Sequence, residues 1–335
     1  KINNFFLYWL FASLALVFSI IIVGGLTRLT DSGLSITEWE LFKGLLPPLS
    51  ENSWSVYFEE YKQIPQYKLL NSGMTIDEFK VIFYWEYFHR ILARFIGLFF
   101  LIPLIYFYFS KKISNDYLNV CFLIFVLIIF QGIIGWFMVQ SGLVNDITVS
   151  HYRLSIHLAT AIIIISSIYW LIMNAYSKKN KFFFSISMQN LPFQMLILLI
   201  LFQIIMGAFV SGLDAGKIYQ TWPLMGTSYV PNDYSFINFQ SLLKLDEHSL
   251  VQFYHRNLAY LIIIYVIFLA IFIYKKKMQN LYFSLKILII FLFFQVILGI
   301  FTLVTGLNIY LASAHQITSV LLVFSALNLY YFRVK

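Results

Sequence analysis

Eight runs of about 20 mostly apolar residues recur along the chain, near 5–27, 81–109, 117–139, 152–175, 190–212, 250–274, 283–305 and 311–332. Clusters of lysine, arginine and acidic residues separate them. A membrane-spanning helix needs roughly 20 such residues. Away from water, each backbone N–H and C=O must be satisfied inside the segment itself. The pattern predicts an all-α integral membrane protein with eight transmembrane helices. Composition agrees, since 60% of the 335 residues are hydrophobic, 11% are charged and the mean hydropathy is +0.79. A soluble domain of this size could not keep so apolar a surface in water. The first run, with its Gly24-Gly25 end, suits an anchor rather than a removed leader.

A net charge of +8 raises nucleic acid as a partner, and its distribution argues against one. Lys1, Lys111, Lys112, Lys178, Lys179, Lys181, Lys275, Lys276, Lys277, Lys286, Arg333 and Lys335 fall at alternate ends of the eight runs, with only Asp116 as acidic company. That is the positive-inside pattern. It predicts that both termini are cytoplasmic and that the acidic connections near 28–80 and 213–249 lie outside. The abundance of Lys, Asn, Ile and Phe points to an AT-rich bacterial genome, which makes the bacterial inner membrane the expected location. Cys121 is the only cysteine, so neither an intramolecular disulfide nor a thiolate metal site is available; in its apolar run it reads as packing.

The chain repeats itself. VGGLTRLTDSG (23–33) matches MGAFVSGLDAG (206–216), pairing Gly24 with Gly207, Asp31 with Asp214 and Gly33 with Gly216, while Trp39 pairs with Trp222. EYFHRILA (86–93) matches QFYHRNLA (252–259), and FQGIIG (130–135) matches FQVILG (294–299). Four spans per half is an even number, so the halves share one orientation and a pseudo-twofold along the membrane normal. The expected architecture is two four-helix bundles, residues 1–182 and 183–335. The recurring glycines permit close helix approach or leave room for a flat ligand.

Within this frame the histidines carry the chemistry. His89 lies 22 residues before Lys111, His157 21 before Lys178, His255 20 before Lys275 and His315 18 before Arg333. At about 1.5 Å per residue these four share one depth, near the outer face, on parallel even-numbered spans. Two neutral imidazoles facing each other across a bundle are suitable axial ligands for haem iron. The pattern therefore predicts two sites, His89 with His157 and His255 with His315. Zinc or copper fits less well, because nothing supplies further ligands in either half. His151, 27 residues before Lys178, is expected in the outer loop. His248, seven before His255, is expected at a haem edge.

Arg90 and Arg256 directly follow two of these histidines. Guanidinium suits the paired carboxylates of haem propionates, although an interfacial arginine can also simply snorkel; Arg28 and Arg153 are weaker candidates. The halves differ at Glu86, whose counterpart is Gln252. Glu86 and His89 are three residues apart and share a helix face, which puts a carboxylate beside the first site. It is either a structural partner for Arg90 or a loop amide, or a group that moves protons or stabilises positive charge at an oxidised carbon.

In GGLTRLTDSGLSITEWELFKGLLPP (24–48), EYFHR (86–90), SHYRLSIHL (150–158), QFYHR (252–256) and SAHQ (313–316), the chain resembles the haem A synthase family over nearly its whole length. The resemblance implies an oxidoreductase that converts haem O to haem A for cytochrome oxidase by oxidising a ring methyl to a formyl group. It implies that His89 and His157 face haem O, that Glu86 is the catalytic carboxylate, and that His255 and His315 ligate a resident haem b. It also favours His157 over His151. Some members carry cysteine pairs in their outer loops; their lack here resembles the branch shared by mitochondria and alphaproteobacteria. The expected partners are the enzyme that makes haem O, which would hand over so apolar a product within the bilayer, and cytochrome oxidase assembly factors. A di-haem electron carrier and a haem exporter or chaperone remain as alternatives. The long connection 40–80, rich in aromatics and acids, is expected to lie on the outer surface and cover the first site.

Overall fold

A computed structural model describes residues 4–38, 43–144, 147–233 and 239–334; Trp39, Lys1 and Lys335 lie outside the described residues. Among the described residues, ten α-helices follow in chain order: α1 Asn4–Leu29, α2 Glu51–Tyr61, α3 Pro65–Leu70, α4 Ile76–Ser110, α5 Asn115–Val144, α6 His151–Ser177, α7 Leu191–Gly212, α8 His248–Lys275, α9 Tyr282–Val304 and α10 Ile309–Arg333. Eight of them, all but α2 and α3, are long and apolar enough to cross a bilayer. Their outward faces are apolar, with Leu98, Ile102, Phe109, Ile264 and Phe293 exposed. Such faces are stable against hydrocarbon and costly against water.

The helix ends explain why the predicted runs stop where they do. Lys111, Lys178 and Lys277 each adopt a left-handed backbone, with φ of 52°, 53° and 51°. A left-handed residue closes the last turn, and a cation there meets the negative end of the helix dipole. Asp31 and Asp214, paired in the sequence repeat, are left-handed as well, with φ of 50° and 52°.

The backbone divides into two compact units, residues 1–165 and 166–335. The division falls within α6 rather than in the 178–190 connection. In the first unit α1 packs on α4, and α4 on α5. Phe6, Trp9, Phe100 and Phe107 fill the seam, with Trp9 and Phe100 ring centroids 4.8 Å apart. In the second unit α7 packs on α8 and α10, and α9 on α10. The end of α6 belongs there because Trp170 packs on Tyr330 and Tyr331 and Tyr169 stacks on Phe324. Trp170 and Asn174 both donate to the Lys181 carbonyl at 3.0 Å.

At 35 residues, α4 is about 52 Å long, well beyond the roughly 30 Å of a hydrocarbon core. Its first turns are held by a capping box between Thr75 and Glu78. There α2 and α3 fold over them, burying Trp54, Phe58, Tyr61, Phe79 and Phe83 in one aromatic cluster. The 51–70 part of the connection is thus two short helices packed on the first unit.

Candidate functional site

All four depth-matched histidines lie on even-numbered spans, and each sits against a glycine of the span before it. A Cβ built on Gly24 would lie 3.0 Å from His89 Cε1, and one on Gly135 3.1 Å from His157 Cε1. The same holds for Gly207 with His255 at 3.2 Å and Gly299 with His315 at 2.9 Å. Real Cβ contacts are rarely so short, so only glycine lets these rings lie where they do. The space these glycines open is taken up by imidazole.

His157 lies in electrostatic reach of His89, and His255 of His315. Among the described residues no cluster of three or more His, Cys, Asp or Glu could cage a bare ion. Two imidazoles per unit suit a metal that brings its other ligands with it, as haem iron does. His315 Nδ1 lies 3.0 Å from the Gln295 carbonyl. That contact puts the ring proton on Nδ1 and leaves Nε2 as the unprotonated nitrogen, the form that can ligate iron. The donor set therefore fits haem.

Three glutamines that sequence reasoning passed over touch these rings. Gln131 Nε2 lies 3.2 Å from His157 Nδ1 and donates to the His157 carbonyl at 2.9 Å. Gln203 Nε2 lies 3.2 Å from His255 Nδ1 and donates to the His255 carbonyl at 3.0 Å. Gln295 Nε2 lies 3.4 Å from His315 Nε2. The signal was a four-residue Gln-to-Gly spacing, present in FQIIMG (202–207) as well as in the two matched copies.

Glu86, 2% exposed, receives four hydrogen bonds. Ser35 Oγ and the Ile36 amide donate to Oε2 at 2.7 and 2.9 Å. Arg90 donates to Oε1 through Nε at 3.1 Å and Nη2 at 2.6 Å. Arg90 also donates to the Ile36 carbonyl at 3.0 Å. Two small pockets open beside Ile36, Glu38 and Arg90; one reaches Tyr87 and Arg94, the other Trp136 and Gln140.

In the second unit Gln252 donates to the Tyr219 carbonyl at 2.9 Å and Arg256 to the same carbonyl at 3.1 Å. Arg256 also reaches the Leu224 carbonyl at 3.2 Å. Beyond them, Tyr219 Oη donates to Asp233 at 2.5 Å, and Ser249 Oγ donates to the same carboxylate. Burial pulls the Asp233 carboxyl upward, but these hydroxyls outweigh it and leave it below the usual range. The hydrogen bond to this carboxylate, and then burial, raise the Tyr219 phenol.

His151 was expected in the outer loop; it is instead the first residue of α6, with its ring 4.2 Å from that of Tyr152. The helix begins there because Ser150, held through its amide by Ser141 Oγ, accepts the first helical hydrogen bond from Leu154. His248 opens α8. Arg153 lies over the Phe137 ring at 3.7 Å and donates to the Phe137 carbonyl, and Arg28 pairs with Asp31 at 2.7 Å. Cys121 is buried, in keeping with packing.

Comparison with known proteins fixes the relationship. The family model described as COX15-CtaA, cytochrome oxidase assembly protein, matches residues 7–327. The chain belongs to this family. Among relatives of this COX15-CtaA protein, one from Pelagibacter ubique named Heme A synthase is 48% identical over 95% of this chain and 93% of its own length. Others of the same name come from Nitrosospira multiformis, 41% identical over 95% of this chain and 90% of its own, and Rickettsia felis, 39% identical over 94% of each. The matched span of this COX15-CtaA chain takes in all four histidines, their glycines and Glu86.

Proposed function

We propose that this chain is a haem A synthase, oxidising a ring methyl of haem O to a formyl group to give haem A for cytochrome oxidase. The carrying observation is a pair of glycine-seated imidazoles in each unit, in a chain 48% identical over 95% of its length to a protein named Heme A synthase. His89 and His157 receive haem O, and His255 and His315 hold haem b. When bound, haem b supplies one-electron transfer. Two successive hydroxylations of the methyl, each a two-electron oxidation whose electrons would be exchanged through haem b with a redox partner outside the chain, would give the hydrated product, which loses water to leave the formyl group.

Glu86 stands one helical turn from His89. Its two oxygens offer about four acceptor sites as a carboxylate, and four donors fill them. A group so occupied acts better as a fixed negative charge, stabilising positive charge at the oxidised carbon, than as a proton carrier. Arg90 and Arg256 hold the loop carbonyls that close each site and face the propionate edge. Residues 1–182 form the substrate half and 183–335 the haem b half, related by a pseudo-twofold. The chain sits in the bacterial inner membrane with cytoplasmic termini, takes haem O from the enzyme that makes it, and works beside cytochrome oxidase assembly factors.

The test is to express the chain in cells that make haem O, extract the pigments and look for haem A by mass. Haem A is expected with the wild type and not with Glu86→Ala, which should still show a bound haem b spectrum. A correctly inserted wild type that forms no haem A would reject the assignment. Undiminished haem A in the variant would reject the role of Glu86.

A further inference from the structure

Beyond Ile36 the first loop is clasped to α4 twice more. Tyr87 Oη donates to the Leu45 carbonyl at 2.7 Å, and Arg94 Nη1 to the Gly44 carbonyl at 3.1 Å. The second unit has neither donor in this role. In the repeat register Tyr87 corresponds to Phe253, which has no hydroxyl, and Arg94 to Tyr260, whose hydroxyl accepts from Trp222 Nε1 at 3.0 Å. What the first-unit clasp holds is GLLPPL (44–49), a stretch without a charge. In it Leu45, Leu46 and Leu49 are 49%, 69% and 80% exposed. Three leucines presented together are costly against water.

The depth of the clasp points to what covers them. Arg94 and Tyr87 stand 17 and 24 residues before Lys111, about 26 and 36 Å along the helix at about 1.5 Å per residue. A hydrocarbon core of roughly 30 Å counted from Lys111 ends between them, so the two held carbonyls lie at a boundary of the bilayer. Aromatic side chains favour that level, and here Tyr84 is exposed and the Tyr87 ring lies 5.9 Å from that of Phe88. Phe88 belongs to an exposed apolar stripe of α4 with Phe95 and Leu98, so the segment adjoins the face that meets lipid. Its backbone suits immersion too. Pro47 and Pro48 have no N–H to strand, and the Gly44 and Leu45 carbonyls are already taken by α4 donors, which lowers the cost of leaving water.

We propose that residues 44–49 are seated in lipid: Leu45, Leu46 and Leu49 enter the leaflet nearest the start of α4, at the headgroup–acyl boundary, and Tyr87 and Arg94 hold them there. Leu46 also lines the pocket beside Arg90 and Arg94, so that pocket has a wall backed by lipid. The proposal rests on the spanning helices and not on the reaction assigned to the site.

The full chain is placed in phosphatidylcholine nanodiscs with a thiol-linked fluorophore at Leu46→Cys, at Leu49→Cys or, as a water-facing reference, at Ser72→Cys, an exposed position three residues before the Thr75 cap. The unsubstituted chain, whose Cys121 is buried, gives the labelling background. Lipid spin-labelled near the top of its acyl chain should quench positions 46 and 49 at least about threefold more than position 72, and iodide should quench them at least about threefold less. Tyr87→Phe, which removes one donor and keeps the ring, should lower lipid quenching at position 46 and raise iodide quenching there; Arg94→Leu should do the same. If Arg94→Leu fails to insert, Tyr87→Phe alone decides. Iodide quenching at positions 46 and 49 equal to that at 72 would overturn the proposal by putting the leucines in water. Protection from both quenchers would overturn it in favour of a protein partner or a second copy. Unchanged quenching in the variants would overturn the part given to Tyr87 and Arg94.

Discussion

The loops that follow α1 and α7 meet the same kind of arginine and differ in what stands one turn before it. Arg90 Nη2 holds the Ile36 carbonyl at 3.0 Å and Arg256 Nη2 holds the Tyr219 carbonyl at 3.1 Å. These carbonyls are equivalent in the repeat register that pairs Gly33 with Gly216. Glu86 accepts from the Ile36 amide, whereas Gln252 donates to the Tyr219 carbonyl. One scaffold thus carries an ion pair in the first unit and a neutral amide in the second. The difference teaches that loop anchoring alone does not require a carboxylate, because an amide anchors the second loop without one.

The sharpest way to break this comparison is Glu86→Gln, which makes the first unit like the second. It leaves Arg90 without its carboxylate, a loss that can cost about 3–5 kcal/mol when a buried pair is broken. Haem A in pigment extracts should fall at least about tenfold, while the haem b spectrum persists. A wild-type yield would show that the carboxylate serves only the loop.

Next in size are the glycine seats. Gly299→Ala puts a methyl 2.9 Å from His315 Cε1, and overpacking of this kind typically costs about 1–3 kcal/mol. Haem b content per purified chain should drop. Gly24→Ala, against His89 at 3.0 Å, should instead spare haem b and lower haem O retention. A common response in both variants would mean that the two units do not act separately.

A smaller effect is expected from the aromatic cover. Tyr61 Oη donates to Gln66 at 3.0 Å and accepts from Asn71 at 2.8 Å. Tyr61→Phe strands both amides, at about 1–3 kcal/mol if they stay buried. Limited proteolysis should cut the 51–75 region faster, with the 213–247 loop unaffected. Protection equal to wild type would place the strength of the cover in Trp54, Phe58 and Phe79.

The mildest prediction concerns pH. Because the folded Asp233 carboxyl sits below its usual range, its contribution is present above the unfolded pKa of about 3.9. It is lost as pH falls through the lower folded value. Asp233→Asn should therefore lower Tm above pH 5, where the carboxylate's contribution is present, and flatten the fall of Tm with acidification. An identical acid slope would remove Asp233 as a fastener of the 213–247 loop.

Much of this was legible in the sequence because a bilayer makes simple demands. Runs near 5–27 and 81–109 were visible as apolar blocks, and the helices Asn4–Leu29 and Ile76–Ser110 extend them by a few residues. The extra length of α4 was hidden because Ile76–Lys80 is polar enough to read as loop, and packing by Trp54 and Phe58 makes it helix. His89, His157, His255 and His315 stood out because ionisable residues in apolar runs are conspicuous. Gln131, Gln203 and Gln295 did not, since a lone glutamine carries no charge and only its spacing from glycine and histidine gives it meaning. The partners of Glu86, Ser35 and Ile36, lie about 50 residues away in sequence and no local pattern announces them.

The length of α4 has one more consequence. From Ile76 to His89 the helix runs without proline or glycine, a stiff rod of about 20 Å whose upper end is gripped by α2 and α3. The imidazole therefore cannot rise or sink on its own. Its height is set as by a ruler from the aromatic cluster at the start of α4, so an insertion of one residue between Phe79 and Glu86 would turn the ring some 100° about the rod and carry it off Gly24 altogether.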